Sequence, residues 1–120
     1  MANDLKVTVV RPVPEAKELV LVRLEGDLDS TASFDLENRL KALMQNPIKK
    51  LIFDLEQLSY MSSVGLGLFL GIMDELKTRG GELILVKLNE KSRRLFDMAG
   101  LLKFIKVFDT EAAALKSLKV

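Results

Sequence analysis

The chain has 120 residues, 48% hydrophobic and 29% charged, with a net charge of +1. That length and balance describe a single soluble domain with a core large enough to need no covalent staples. Zero cysteines exclude disulfides and thiolate metal sites and suit a reducing cytoplasm, and zero histidines remove the commonest general base and metal ligand.

Residues 5–11 (LKVTVVR) and 18–25 (ELVLVRLE) alternate or run apolar with β-branched side chains, which predicts two strands. Pro12, Pro14 and Glu15 between them suggest an antiparallel hairpin with a long turn. "GDLDST" breaks the strand pattern, and Ser30 is a good N-cap for a helix over about 31–45. Leu36, Leu40, Leu43 and Met44 put one apolar stripe on that helix before Asn46-Pro47 ends it. KLIFDL at 50–55 reads as a buried strand. A second helix over about 63–79 closes at Gly80-Gly81, and ELILVK at 82–87 is the next strand. Asn89 caps a short helix to about 98, with Leu95, Phe96 and Ala99 inward and Gly100 as its stop. FIKVF at 104–108 is the last strand, and Asp109 or Thr110 caps a last helix, EAAALKSL. The order β-β-α-β-α-β-α-β-α predicts an α/β fold with a mixed, mainly parallel sheet and four helices, all in one domain over 1–120.

The scattered Lys and Arg residues leave no basic footprint for direct nucleic-acid binding. No apolar run reaches the roughly 18 residues that a membrane span needs, so no membrane insertion is expected. The opening MANDLKVTVVRP has no apolar signal core, so no secretion signal is expected either.

The second helix is unusual. On a helical wheel Phe69, Ile72, Met73 and Leu76 converge as a core face, with Asp74 and Thr78 opposite. In its first two turns, however, the outer face carries Gly67 and Gly71 flanked by Val64, Leu68 and Leu70. Each glycine costs up to ~1 kcal/mol of helix propensity relative to alanine. Two readings stand: close packing inside the domain, or a flat apolar patch for another protein. The serine pair Ser62-Ser63 that opens the helix also reads two ways. One is a simple N-cap. The other is a place where a phosphate would sit on free N–H groups at a helix start.

Taken together, "GDLDSTASFDLENRL", "LIFDLEQLSYMSSVGLGLFLG" and "GGELILVKLNEKSRRLFDMAGLLKFIKVFDTEAAAL" resemble the STAS domain of bacterial anti-sigma factor antagonists over nearly the whole chain. The resemblance implies phosphorylation at Ser63, followed by the matching Gly65, Leu66 and Gly67, with Asp27 in the acidic loop nearby. The family's usual Asp before that serine falls on Ser62, which leaves Ser62 as the alternative acceptor, and its usual small residue falls on Val64. The docking surface implied comprises Asp27, Ser62, Val64, Gly65, Leu66, Gly67, Leu70 and Gly71. The resemblance further implies a partner-switching cycle. The unmodified chain binds an anti-sigma factor that is also a serine kinase, which frees a sigma factor. Phosphorylation reverses this and a serine phosphatase resets it. The chain is then a substrate and binding module rather than an enzyme, with no cofactor and no metal, and a monomer is expected.

Competing readings are weaker on residues. Asp27, Asp29, Asp54 and Lys87 mimic the acidic pocket and lysine of a receiver domain. Yet Asp27 and Asp29 follow the second strand rather than the first, and the residues after Asp54 do not match a receiver loop. Gly65, Gly67 and Gly71 give GxGxxxG, which is not the dinucleotide fingerprint. A third reading keeps the STAS fold but makes the chain a scaffold or accessory subunit of a stress-sensing or transport complex.

Overall fold

The structure, a computed structural model, describes residues 4–118. In chain order its elements are β1 (Lys6–Val10), β2 (Leu19–Leu28), α1 (Ser30–Leu43), β3 (Lys50–Asp54), β4 (Leu58–Met61), α2 (Ser63–Thr78), β5 (Glu82–Val86), α3 (Glu90–Met98), β6 (Lys106–Phe108) and α4 (Glu111–Ser117), with a short 3-10 turn at Leu101–Lys103. β1 and β2 form the antiparallel hairpin, Val10 opposite Leu21. β3, β5 and β6 then add in parallel, giving the path β1-β2-β3-β5-β6. The fold is therefore α/β, with a mixed, mainly parallel sheet of six strands and four α-helices among the described residues.

β2, β3 and β5 are largely buried on both faces, because their side chains alternate between the two sides of the sheet and helices cover each side. Val20, Val22, Leu24, Leu51, Phe53, Leu83 and Leu85 point to the larger core, which also holds Leu36 and Leu40 of α1, Phe69 and Leu76 of α2, and Phe96 of α3. Leu19, Leu21, Ile52, Ile84 and Val86 point the other way, to Ala114 of α4, with Val13 and Ala16 of the hairpin loop packed alongside. Phe69 stands edge-on to Phe53 at 4.9 Å and to Phe96 at 5.4 Å, so α2 is keyed into β3 and α3 by three rings.

Four expectations need correction. The strand β4 is additional, and β2 runs on to Leu28 instead of ending at "GDLDST". Gly26 has φ +103°, which an L side chain rarely adopts, and a bulge follows it. Past the bulge, Asp27 pairs with Tyr60 and Leu28 with Met61 of β4. The cap of α1 is Asp29, whose Oδ1 accepts from the Ala32 N–H at 2.8 Å, and Ser30 is the first helical residue. On α3, Phe96 is buried but Leu95 and Ala99 are exposed, since a helix this short turns one narrow face to the core. The last helix is capped by Thr110, one of the two residues expected there, whose hydroxyl accepts from the Ala113 N–H.

Candidate functional site

The site grows from the end of β4. β4 lies parallel to the far end of β2, and the Ser62 N–H continues that pairing by donating to the Leu28 carbonyl at 2.9 Å. Ser62 is extended (φ −79°, ψ 168°) and its hydroxyl accepts from the Gly65 N–H at 3.1 Å, so it is the N-cap of α2. Leu66 donates to the Ser62 carbonyl at 3.0 Å. Ser63 is therefore the first helical residue, exposed, with its own N–H and that of Val64 without a protein partner among the described residues.

The two glycine positions resolve differently from Gly65. A methyl group built on Gly67 or Gly71 meets nothing within 4 Å. Internal close packing therefore does not account for them. They form the open floor of a groove of about 450 Å³ between α1 and α2. Its walls include Val64 and Phe34, 52% and 64% exposed, with Leu68 and Ile72 below and Glu37, Lys41 and Glu75 on its rim. Gly65, by contrast, is buried. A methyl group there would lie 3.0 Å from the Leu28 side chain and 3.1 Å from Met61, so Gly65 permits close approach of α2 to β2 and β4 and presents no surface. Leu66 is half-buried against the main core. Leu68, expected on the outer face, is buried at the groove floor. Leu70 is exposed but does not line the groove.

Both helices are fixed at the far end of the groove. α2 ends in a Schellman arrangement, Gly81 donating to the Leu76 carbonyl and Gly80 to that of Lys77. Arg79 then reaches across to the end of α1 and donates to the carbonyls of Asn46 and Met44.

Asp27 is half-buried near the end of β2, on the strand next to the one that leads into the serines. It lines a cleft of about 360 Å³ with Asp4, Asp29, Asp35 and Arg39. Asp29 and Ser30, neighbours in sequence, line this acidic cleft and the apolar groove respectively, so the two depressions adjoin at the start of α1.

The carboxylate and lysine of the receiver reading do meet, but away from Asp27 and Asp29. Asp54, 6% exposed, lies 3.4 Å from Arg23 and 3.8 Å from Lys87, and both cations also reach Glu111 of α4. The Arg23 guanidinium is held above its usual pKa, first by its hydrogen bond to Glu111 and then by the charges of Glu111 and Asp54, against the opposing pull of burial. Among the described residues no group of three or more acidic, His or Cys side chains is arranged to hold a metal ion. No helix of the described residues is long and apolar enough to cross a membrane.

Phe34 is the site residue that sequence reasoning missed. Its signal is an apolar residue out of phase with the Leu36–Leu40 stripe of α1.

The STAS domain family model matches residues 11–114. The chain belongs to the STAS-domain family of anti-sigma factor antagonists, a family of regulatory proteins. The anti-sigma F factor antagonist of Paenibacillus polymyxa is 33% identical over 103 residues, 85% of this chain and 88% of that one. The solved structure of the anti-sigma factor antagonist SpoIIAA in its unphosphorylated form has a TM-score of 0.82 at 30% identity, covering 95% of this chain and 96% of that one. The phosphorylated form of SpoIIAA, a Bacillus cell fate determinant, has a TM-score of 0.75 at 30% identity, covering 94% and 99%.

Proposed function

We propose that this chain is a cytoplasmic, non-catalytic anti-sigma factor antagonist that works by partner switching, with Ser63 as the switch. Unphosphorylated, it docks an anti-sigma factor that is also a serine kinase and so frees a sigma factor. That kinase phosphorylates Ser63 and the complex separates. A serine phosphatase resets the cycle. The docking face comprises Val64, Gly67, Leu70, Gly71 and Phe34, with Asp27 beside it. The observation that carries this is the exposed Ser63 at the start of α2, next to an apolar groove floored by two glycines that no internal packing requires. The relatives named as anti-sigma factor antagonists, and a neighbour solved in both unphosphorylated and phosphorylated forms, support it.

The energetics agree in sign. Attached to Ser63, a phosphate sits at the helix start, where the free N–H groups and the dipole favour it by about 0.3–1 kcal/mol when exposed. The fold is left intact. A partner seated on Val64 and the groove must instead desolvate about two negative charges, at a cost of several kcal/mol if nothing compensates. Each ~1.4 kcal/mol is tenfold in affinity, so two or three such steps reverse a choice of partner.

Incubation with the cognate kinase and ATP, followed by peptide mass mapping, tests the assignment. Phosphate is expected on Ser63, Ser63→Asp should bind the anti-sigma partner weakly, and Ser63→Ala should bind and stay unmodified. Phosphate on Ser62 alone would overturn the residue. No phosphate on either serine, with binding intact, would favour the scaffold or accessory-subunit reading.

A further inference from the structure

We propose that Asn89, outside the docking face, is the positioning residue for the segment that carries Ser62 and Ser63; its bearing on function rests on reading Ser63 as the switch. Asn89 caps α3, its Oδ1 accepting from the Ser92 N–H at 2.9 Å. Its other amide atom faces the chain that leads into the serines. Nδ2 donates to the Leu58 carbonyl at 2.8 Å and to those of Leu55 and Glu56 at 3.2 and 3.3 Å. Two amide hydrogens are thus spread over three carbonyls. The orientation is fixed by its partners, because a flipped amide would set oxygen against three carbonyls and NH₂ against the Ser92 N–H.

β4 needs such a tie. It is four residues long and pairs with one strand, β2. The bulge between Gly26 and Asp27 interrupts even that pairing. The connection from β3 is held on its β2 side by the Gly26 N–H, which donates to the Gln57 carbonyl at 3.0 Å. On the α3 side Asn89 holds it. The first residue of β4 is gripped at Leu58, and four residues later the strand delivers Ser62 to Leu28 and to its capping position. One side chain therefore joins the start of α3 to the strand that aims the start of α2.

Capping and tying separate by substitution. Asn89→Asp keeps a capping oxygen but loses both donors. Asn89→Ser keeps a shorter cap that does not reach the carbonyls, without adding charge, and carries the test if Asn89→Asp does not fold. Native-state amide exchange and amide chemical shifts are read on the full chain. The Arg93 amide, inside α3, should keep its protection. Exchange at Gly65 and Leu66 should quicken roughly tenfold or more, and the amide resonances of Ser62–Gly65 should move. Unchanged rates at Gly65 and Leu66 would overturn the assignment. So would an equal rise in Thr110→Ala, which removes only the cap of α4. This readout needs no kinase and no partner, so its result is independent of whether Ser63 accepts phosphate.

Discussion

The Gly65 backbone N–H donates to the Ser62 hydroxyl at 3.1 Å, so the first of the two adjacent serines closes the helix start and the second is left free on its surface. Ser62→Ala should therefore lower stability by about 1 kcal/mol, a fall of roughly 3–6 °C in thermal midpoint, and still accept phosphate on Ser63. Ser62→Asp should hold the wild-type midpoint, because aspartate caps equally well. Thermal denaturation and mass mapping of both variants read the two effects apart. A Ser62→Ala chain that melts as wild type would show that the cap contributes nothing.

Gly71→Ala should raise stability by up to ~1 kcal/mol, since the added methyl meets open space and the helix gains propensity. Gly65→Ala should not share that gain, because its methyl presses on Leu28 and Met61. Gly71→Glu should keep a cooperative melt and weaken binding of the anti-sigma partner at least tenfold, as titrated by calorimetry. Full-strength binding by Gly71→Glu would remove the groove floor from the interface.

Asp27→Asn keeps the shape of the side chain and removes its charge. If Asp27, on the strand next to the one that leads into the serines, orients the Ser63 hydroxyl or a kinase-bound cation, the phosphorylation rate should fall about tenfold or more, with an unchanged melt. An unchanged rate would assign Asp27 to the local structure of the β2 end alone.

Arg23 bridges Asp54 and Glu111 and so fastens α4 to the sheet. Arg23→Gln should cost about 1–2 kcal/mol, the larger share from leaving the nearly buried Asp54 with Lys87 as its remaining cation. The pKa of Arg23 is raised in the fold, so its contribution is fully present below the ordinary arginine value and fades only as pH rises through the higher, folded one. Urea denaturation should accordingly show the same difference between wild type and Arg23→Gln across roughly pH 6–9. A difference that changed across that range would show that a group other than Arg23 governs it.

Periodicity made most of the fold legible. The buried strands β2, β3 and β5, and the stripes of α1 and α2, are long and regular enough to be read directly. β4 was not, because Ser59 and Tyr60 in its middle are exposed and its partner lies beyond a bulge. The cap of α1 slipped by one residue because Asp29 and Ser30 are both good caps and only the backbone geometry decides between them. At the site, the motif located the serines and glycines. It could not say that Gly65 is buried while Gly67 and Gly71 are open, since that depends on Leu28 and Met61, which approach from other strands. The groove wall at Phe34 and the reach of Asn89 to Leu58 are contacts between distant segments, which local patterns do not encode.

Besides its hairpin partner β1, β2 serves two further strands in turn. Leu19–Arg23 pairs with β3, and Gly26–Leu28 pairs with β4. On the ribosome these partners arrive at different times. The partner of the first half of the ladder is available once Asp54 has emerged, while the end of β2 has none before Met61. Until then the polar backbone groups of Gly26–Leu28 bond to water, and the Leu28 carbonyl has no Ser62 N–H to receive. The capped start of α2 is thus assembled by a late-arriving strand and not by the helix's own residues alone. Synthesis order makes the serine pair the closing seam of the N-terminal half of the chain.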